Sequence, residues 1–345
     1  MRTFMIVTVL CAAVPIQVTA QIRRLPPTFK QEINAARWTN AALATSEFRR
    51  SRLSAGALGV RPVGGPRELT ESLELPQQVP AGRKLAKYKE GALQRLSLTA
   101  TLVGGRAAED YQATELELYA TFGVPCPTRK SPLLITPGYR VGFLAASSTT
   151  DLPPRVHDAY LEFRWLRKLN ERWGTSLQVT PGVHSDFHGW RDDAVQISGH
   201  AVAAYQWTPA TNLVLGVAYL DRDDVGLLPA VGIICESAAD RRYELLFPRP
   251  KISRRIERGP GHEHWIYLAG EFGGGSWLVE RAAGVQDTVT ARDFRAILGF
   301  EKKIDGGGGG RIEVAWVFGR AVEYRSGIGD FEPNAAAMIR GGVTY

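Results

Sequence analysis

Two short clusters of histidine and carboxylate residues hold the side chains of this sequence best suited to chemistry. His184, Asp186 and His188 alternate along one stretch, so on a β-strand they would point to the same side. Two imidazoles and a carboxylate suit Zn²⁺ or a similar ion, which makes these residues the candidate metal ligands. The alternative is a polar strand end and a loop, because Gly189 and the charged residues after it break the pattern.

The second cluster, His262-Glu263-His264, offers two imidazoles on one side of a strand. It lacks the four-residue helical spacing of the zinc proteases, so we expect a loop there. The sequence has no G-x-S-x-G nucleophile elbow, and Ser185 would face away from the neighbouring histidines. We therefore predict no catalytic residue and no cofactor, and we do not expect an enzyme.

The elements that position these side chains are strands, because the hydrophobic pattern from residue 91 onward has a period of two. Leu116 and Leu118, for example, alternate with Glu115 and Glu117. Turn residues separate the alternating segments, and the Gly-rich residues 273–275 suit a turn or a kink. The pattern predicts an all-β fold, an antiparallel transmembrane β-barrel of about 12 strands, with a range of about 10 to 14.

Aromatic residues near strand ends support a membrane barrel, since such residues line the two lipid–water interfaces. Tyr205 and Trp207 end one predicted strand, and Trp265 and Tyr267 begin another. We expect all four to lie on the apolar outer face. A soluble barrel or sandwich with an ordinary aromatic core is the alternative.

The last nine residues form an alternating strand that ends in an aromatic residue. Ile339, Val343 and Tyr345 share its apolar face, and Arg340 lies on the other face. Because lipid cannot satisfy an unpaired strand edge, this strand is predicted to close the barrel by pairing with residues 96–102.

Charged residues on the polar faces of the strands would be costly in contact with lipid, so they are predicted to face the lumen. Either they pair with one another and rigidify a closed lumen, or they line a mixed-charge pore. These lumen-facing candidates are Glu115, Glu117, Glu162, Arg164, Arg295, Arg311 and Glu313.

The N-terminal part of the chain differs from the rest in composition. Residues 1–20 have the charge, apolar run and small residues of a signal peptide, so we expect export to the bacterial outer membrane. The basic excess lies in residues 21–90, predicted to be a partly ordered periplasmic extension or plug. Anionic head groups or peptidoglycan are the partners that its charge suits, a solvated linker without a partner is the alternative, and nucleic acid is not expected. Residues 91–345 form the predicted barrel. Within it, Cys126 and Cys235 allow one disulfide in an oxidising compartment.

Several stretches resemble an uncharacterised family of bacterial outer-membrane β-barrels, a domain of unknown function. They are residues 137–143 (PGYRVGF), 152–165 (LPPRVHDAYLEFRW), 180–193 (TPGVHSDFHGWRDD), 220–233 (LDRDDVGLLPAVGI), 246–252 (LFPRPKI) and 317–325 (VFGRAVEYR). The resemblance covers roughly residues 90–345. It implies a barrel and no assigned activity. Because the final strand ends in the aromatic residue Tyr345, as the insertion signal of outer-membrane barrels does, outer-membrane lipid and the barrel-insertion machinery are the expected partners.

A passive channel for small polar solutes is the leading functional prediction, because a barrel of this size has a narrow lumen. The first alternative is a non-conducting structural or envelope-anchoring barrel. The second is an outer-membrane enzyme or a metal-binding barrel.

Overall fold

The computed structural model describes residues 91–345, apart from residues 106–110, 127, 129–130, 148–149, 189–191 and 223, together with Leu85. The predicted signal peptide, residues 1–20, lies outside the described residues. The predicted extension, residues 21–90, also lies outside them except for Leu85.

The described residues form β-strands and one short 3-10 turn, Asp192–Ala194. The strands are β1 (Leu93–Val103), β2 (Gln112–Pro125), β3 (Pro132–Ala145), β4 (Arg155–Lys168), β5 (Trp173–Ser185), β6 (Val195–Thr208), β7 (Thr211–Tyr219), β8 (Leu227–Pro229), β9 (Gly232–Ala238), β10 (Arg241–Leu246), β11 (Lys251–Gly259), β12 (His262–Glu280), β13 (Gln286–Ile304), β14 (Gly309–Tyr324) and β15 (Ala336–Thr344). No helix in the described part of the chain has the length and apolarity to cross a membrane.

The sheet closes on itself. Neighbouring strands in the ring pair antiparallel in chain order, with β7 beside β9 and β15 beside β1. The described chain thus forms a 14-strand barrel, and the short strand β8 pairs with the far end of β7. The prediction of an all-β antiparallel barrel is confirmed, with more strands than the central value of about 12.

The closing pair joins β1 to β15. Leu98 lies opposite Val343 and Leu102 lies opposite Ile339. The backbone groups of Leu96 and Tyr345 exchange hydrogen bonds of 2.9 and 2.8 Å beyond the last paired residues. Closure satisfies the edge groups that an open sheet would leave unpaired.

The two ends of the barrel differ in their connections. We call the end with residues 169–172, 209–210, 239–240, 260–261 and 305–308 the turn end, because its connections are short. The opposite end holds the longer connections and is the loop end; its described residues include 104–105, 111, 146–147, 150–154, 186–188, 192–194, 220–222, 224–226 and 325–335. The strand β15 finishes at the turn end, where β1 begins.

Candidate functional site

The inner wall of the barrel is built by the period-two alternation. On β2, Leu116 and Leu118 are exposed on the outer surface, whereas Glu117 is only 6% exposed. The structure buries Glu117, Glu162, Arg164, Arg295 and Glu313 among the predicted lumen-facing residues and leaves Glu115 and Arg311 half-buried. The charged side chains therefore lie on the face opposite the exposed leucines.

One group of buried ion pairs spans β12 to β15, and we call it the Arg340 cluster: Glu271, Asp293, Arg295, Glu313 and Arg340. Arg340 donates to both oxygens of Glu271, at 3.1 and 2.9 Å, and also to Glu313. Arg295 donates to Asp293 at 2.5 and 3.0 Å and to Glu271 at 3.2 Å. Charges of opposite sign thus compensate one another away from water, as buried ions require.

A second group lies on the wall formed by β4 and β5. Arg164, which is fully buried, donates to Glu162 at 2.6 Å and to Gln178 at 3.2 Å. The Gln178 amide in turn donates to Thr180 at 3.0 Å. This network occupies the polar face of both strands and braces the wall.

Asp158 joins opposite walls near the loop end. Its carboxylate accepts hydrogen bonds from Arg140 at 2.5 Å, His184 at 2.6 Å and Trp277 at 2.7 Å. Arg140 and His184 belong to the adjacent strands β3 and β5, whereas Trp277 belongs to the distant strand β12. A side chain of β12 therefore reaches across the lumen.

The three predicted metal ligands make separate contacts: His184 contacts Asp158, whereas Asp186 and His188 contact each other. His184 contacts Asp158, as described, and β5 ends at Ser185. Asp186 accepts hydrogen bonds from the backbone N–H groups of His188 and Glu280, at 3.0 and 2.8 Å. His188 itself is largely exposed, with Nδ1 3.5 Å from Asp186. A metal site at these residues stays a prediction.

The β12–β13 hairpin closes the loop end. Its outer half turns into the lumen, where Leu278 pairs with Ser185 of β5 on the far side of the ring. Gly274 allows this turn, because its φ of +100° suits glycine and an added Cβ would lie 1.9 Å from the carbonyl oxygen of Ala291. The sequence predicted a turn or a kink at residues 273–275.

Apolar side chains of the inturned hairpin pack into the mouth of the barrel. Trp277, Val279 and Val289 are at most 7% exposed. They share a buried cluster with residues of the walls and loops, among them Val156, Tyr324 and Met338. The loop end of the barrel is therefore filled by a small hydrophobic core.

A polar contact set, which we call the latch, holds the hairpin tip. Arg281 donates to the Asp151 carboxylate at 2.7 Å and to the Ile328 carbonyl at 2.9 Å, and its guanidinium lies 3.8 Å from the Tyr324 ring. The hydrogen bonds from Arg281 and from the backbone of Ala282 hold the pKa of Asp151 below its usual range. The latch joins the hairpin to the β3–β4 and β14–β15 connections.

The outer surface confirms part of the aromatic prediction and corrects another part. Trp207 is 63% exposed on the outer face, and Tyr205 is half-buried on the same face. Trp265 and Tyr267 instead point inward, where the Trp265 indole donates to Glu263 at 3.0 Å and the Tyr267 hydroxyl donates to Glu313. The prediction for these two was wrong because both carry a polar group that bonds to a lumen carboxylate.

The two cysteines of the barrel lie at the turn end (Cys126) and on strand β9 (Cys235). Cys126 is exposed and Cys235 is half-buried, and both are free thiols in the structure. The one disulfide that these two residues allow is not formed in the structure. Sequence reasoning missed Asp158, Trp277 and Arg281, because their partners lie on strands and loops far away along the chain.

Comparison with known proteins gives a family match for part of this barrel. Residues 145–246, from the end of β3 to the end of β10, match the family described as Domain of unknown function (DUF6268). The predicted resemblance to an uncharacterised family is confirmed by this match. No curated protein matches the chain.

Solved structures similar to this chain are barrels of low sequence identity. The COG4313 outer membrane channel from Pseudomonas putida F1 is 13% identical, with a TM-score of 0.40, over 78% of this chain and 100% of that one. LpxR from Salmonella typhimurium is 11% identical, with a TM-score of 0.34, over 72% and 99%. The Pseudomonas putida toluene transporter TodX is 10% identical, with a TM-score of 0.30, over 84% and 98%.

Proposed function

We propose that this protein is a bacterial outer-membrane channel for small polar solutes, closed by its β12–β13 hairpin in the conformation described. The membrane part of the proposal is supported by the outer surface. Large apolar side chains such as Leu118, Val179, Leu215, Leu268 and Val314 are 48–68% exposed around the ring. So much apolar surface is unusual in water and is what lipid requires.

The orientation follows from the connections. Outer-membrane barrels place short turns in the periplasm and longer loops outside the cell. The turn end is therefore the periplasmic end, and the hairpin closes the barrel from the outside. On this proposal, residues 1–20 direct export, and residues 21–90 lie in the periplasm near anionic head groups or peptidoglycan.

The channel part of the proposal rests on one observation: the hairpin that fills the mouth is held by side-chain packing and a few polar contacts, and in the described residues it pairs with the opposite wall at Leu278–Ser185 alone. The latch and the Trp277–Asp158 hydrogen bond are interactions that water replaces at modest cost. A wall-forming strand has no such alternative, because its ladder cannot be broken within lipid. The hairpin is thus the part of the barrel best suited to move.

Planar-bilayer conductance tests this function. Arg281→Ala removes the latch and should raise the open probability roughly tenfold or more, for a loss of about 1.5–3 kcal/mol from charged hydrogen bonds. Arg292→Ala is the matched control, because Arg292 lies on the same hairpin in an exposed pair with Glu323 at 2.9 Å. It should leave conductance unchanged.

A reversible crosslink sharpens the test. Ser185→Cys with Leu278→Cys, in the Arg281→Ala background and with Cys126 and Cys235 replaced by serine, places two thiols at paired backbone positions across the lumen. Oxidation should silence the channel, and reduction should restore it. Equal currents in both redox states, or an open probability of the inserted Arg281→Ala protein no higher than that of the wild-type protein, would overturn the proposal.

A non-conducting structural barrel is the second candidate. The observation in its favour is the complete burial of Arg164 and Arg340 in ion pairs, since such side chains rigidify a lumen instead of hydrating it. This candidate predicts an inserted protein that stays silent after the latch is removed. A difference in gel migration between unheated and heated samples would show that the wild-type and Arg281→Ala proteins had both folded.

A further inference from the structure

The β11–β12 hairpin brings three potential metal ligands together on the outer face at the turn end. Glu257 lies directly opposite His264 in the antiparallel ladder, and Gly259 lies opposite His262. His262 and His264 share a side of β12 because they are two residues apart. The three side chains therefore meet beside the turn at residues 260–261.

The sequence predicted a loop at His262 and His264, and that prediction was wrong, because both residues lie on β12; a bulge concealed their third partner, Glu257. The register shifts between Arg255, which pairs with Trp265, and Glu257, which pairs with His264. Arg255 contacts Glu263 inside the barrel at 2.7 Å. By strict alternation Glu257 would also point inward, but the extra residue turns it outward, next to the histidines.

The distances suit a small ion after a slight adjustment. His264 Nδ1 lies 2.8 Å from Glu257 Oε2, and His262 Nε2 lies 3.9 Å from Glu257 Oε1. One ligand atom from each residue falls within 4.8 Å of the others. Around tetrahedral Zn²⁺, with bonds of about 2.0–2.1 Å, ligand atoms stand roughly 3.3 Å apart.

The surroundings orient both rings. A Cβ at Gly259 would lie 2.2 Å from the His262 ring, so the missing side chain makes room for that imidazole. The His264 ring stacks on Phe300, with centroids 5.5 Å apart. The His262 and His264 side chains are 30% and 19% exposed, which leaves a coordination position open to water.

One positive charge opposes binding. Lys302 pairs with His264 from β13 and is exposed, so its long side chain has room to move into solvent. Its presence lowers the expected affinity but leaves the nitrogen ligands available.

We propose that Glu257, His262 and His264 form a binding site for one divalent transition metal ion such as Zn²⁺, with water as the remaining ligand. Two imidazoles and a carboxylate are the donor set of open zinc sites. The site is on the wall of the barrel, separate from the lumen and the hairpin latch. It does not depend on conduction, so it stands or falls independently of the channel proposal.

Calorimetric titration of the full chain with Zn²⁺ in detergent, without a polyhistidine tag, tests the site. One-to-one saturable uptake is expected, and either His262→Ala or His264→Ala should weaken it roughly tenfold or more through the loss of one protein ligand. Glu257→Gln keeps the shape of the side chain and should also weaken uptake. Tetrahedral absorption bands with Co²⁺ would report the coordination geometry.

His157 supplies the matched control. His157→Ala should leave the uptake unchanged, because this imidazole lies on β4 near the loop end, where it contacts Tyr139 and Phe187. Absence of saturable uptake would overturn the proposal. Uptake that is kept in His262→Ala and His264→Ala but lost in His184→Ala and His188→Ala would also overturn it and would favour the site at His184, Asp186 and His188.

Discussion

Replacing Arg340 with methionine tests whether the charges of the lumen stabilise the barrel as a linked set. Arg340 is fully buried and donates to Glu271 at 3.1 and 2.9 Å and to Glu313. Its removal leaves two carboxylates close together without their main counter-charge. Breaking a buried pair in this way costs about 3–5 kcal/mol. Arg295 and Arg249 each remain 3.2 Å from Glu271 and offset part of that loss.

We therefore expect Arg340→Met to lower the free energy of unfolding by about 3–4 kcal/mol. Tryptophan fluorescence during urea unfolding in lipid vesicles would measure this change. The combined variant Arg340→Met with Glu313→Gln should recover most of the loss, since Glu271 keeps two arginine partners, Arg249 and Arg295, each at 3.2 Å. A loss below about 1 kcal/mol for the single variant would refute the reasoning, because it would mean that water already screens the cluster.

Three further predictions concern the outer face, the hairpin and its latch. Leu118→Arg should destabilise the inserted barrel by about 2–4 kcal/mol, whereas Leu118→Ile should change the unfolding midpoint little. Gly274→Val should disturb the inward course of β12, because its Cβ would contact backbone, and should raise conductance. The lowered pKa of Asp151 means that the Arg281 latch contributes fully above the unfolded value of 3.8 and weakens as pH falls through the lower folded value. Conductance should therefore be flat between pH 8 and 5 and rise only below about pH 4; a rise near pH 6 would contradict this.

The wall of the barrel was predictable because each wall strand repeats one simple contrast. Leu116 and Leu118 alternate with Glu115 and Glu117, and only one arrangement puts the apolar pair in lipid. The closing pair was predictable for the same reason, since Val343 and Ile339 continue the outer face of Leu98 and Leu102.

Alternation gives no answer where both faces of a strand carry apolar and polar groups. On β12, His264 and Ile266 face outward, and Trp265 and Tyr267 face inward. The inward direction of Tyr267 depends on Glu313 of β14, which is 46 residues away in sequence. The Glu313 carboxylate accepts a hydrogen bond from the Tyr267 hydroxyl. The candidate metal site escaped detection for a related reason, because the bulge before Glu257 is a property of the ladder and leaves no local signature.

The long strands β12 and β13 determine the resting state of the mouth. Each has 19 residues, far more than the about 9–11 that a tilted strand needs to cross a bilayer. The surplus includes Trp277, Leu278, Val279 and Val289, which an upright hairpin would expose to water. Burial of such side chains is worth about 1.5–3 kcal/mol each, so the closed hairpin gains roughly 6–12 kcal/mol.

Full withdrawal of the hairpin is consequently rare without help. A difference of about 5.5 kcal/mol already holds the open form near one molecule in ten thousand, and the estimate for these four side chains is larger. A solute or partner that binds the open form must supply the difference, and the wild-type channel should be almost silent in a plain bilayer. Single-channel recording that showed wild-type openings for more than about one per cent of the time would contradict this, because it would place the two forms within about 3 kcal/mol of each other.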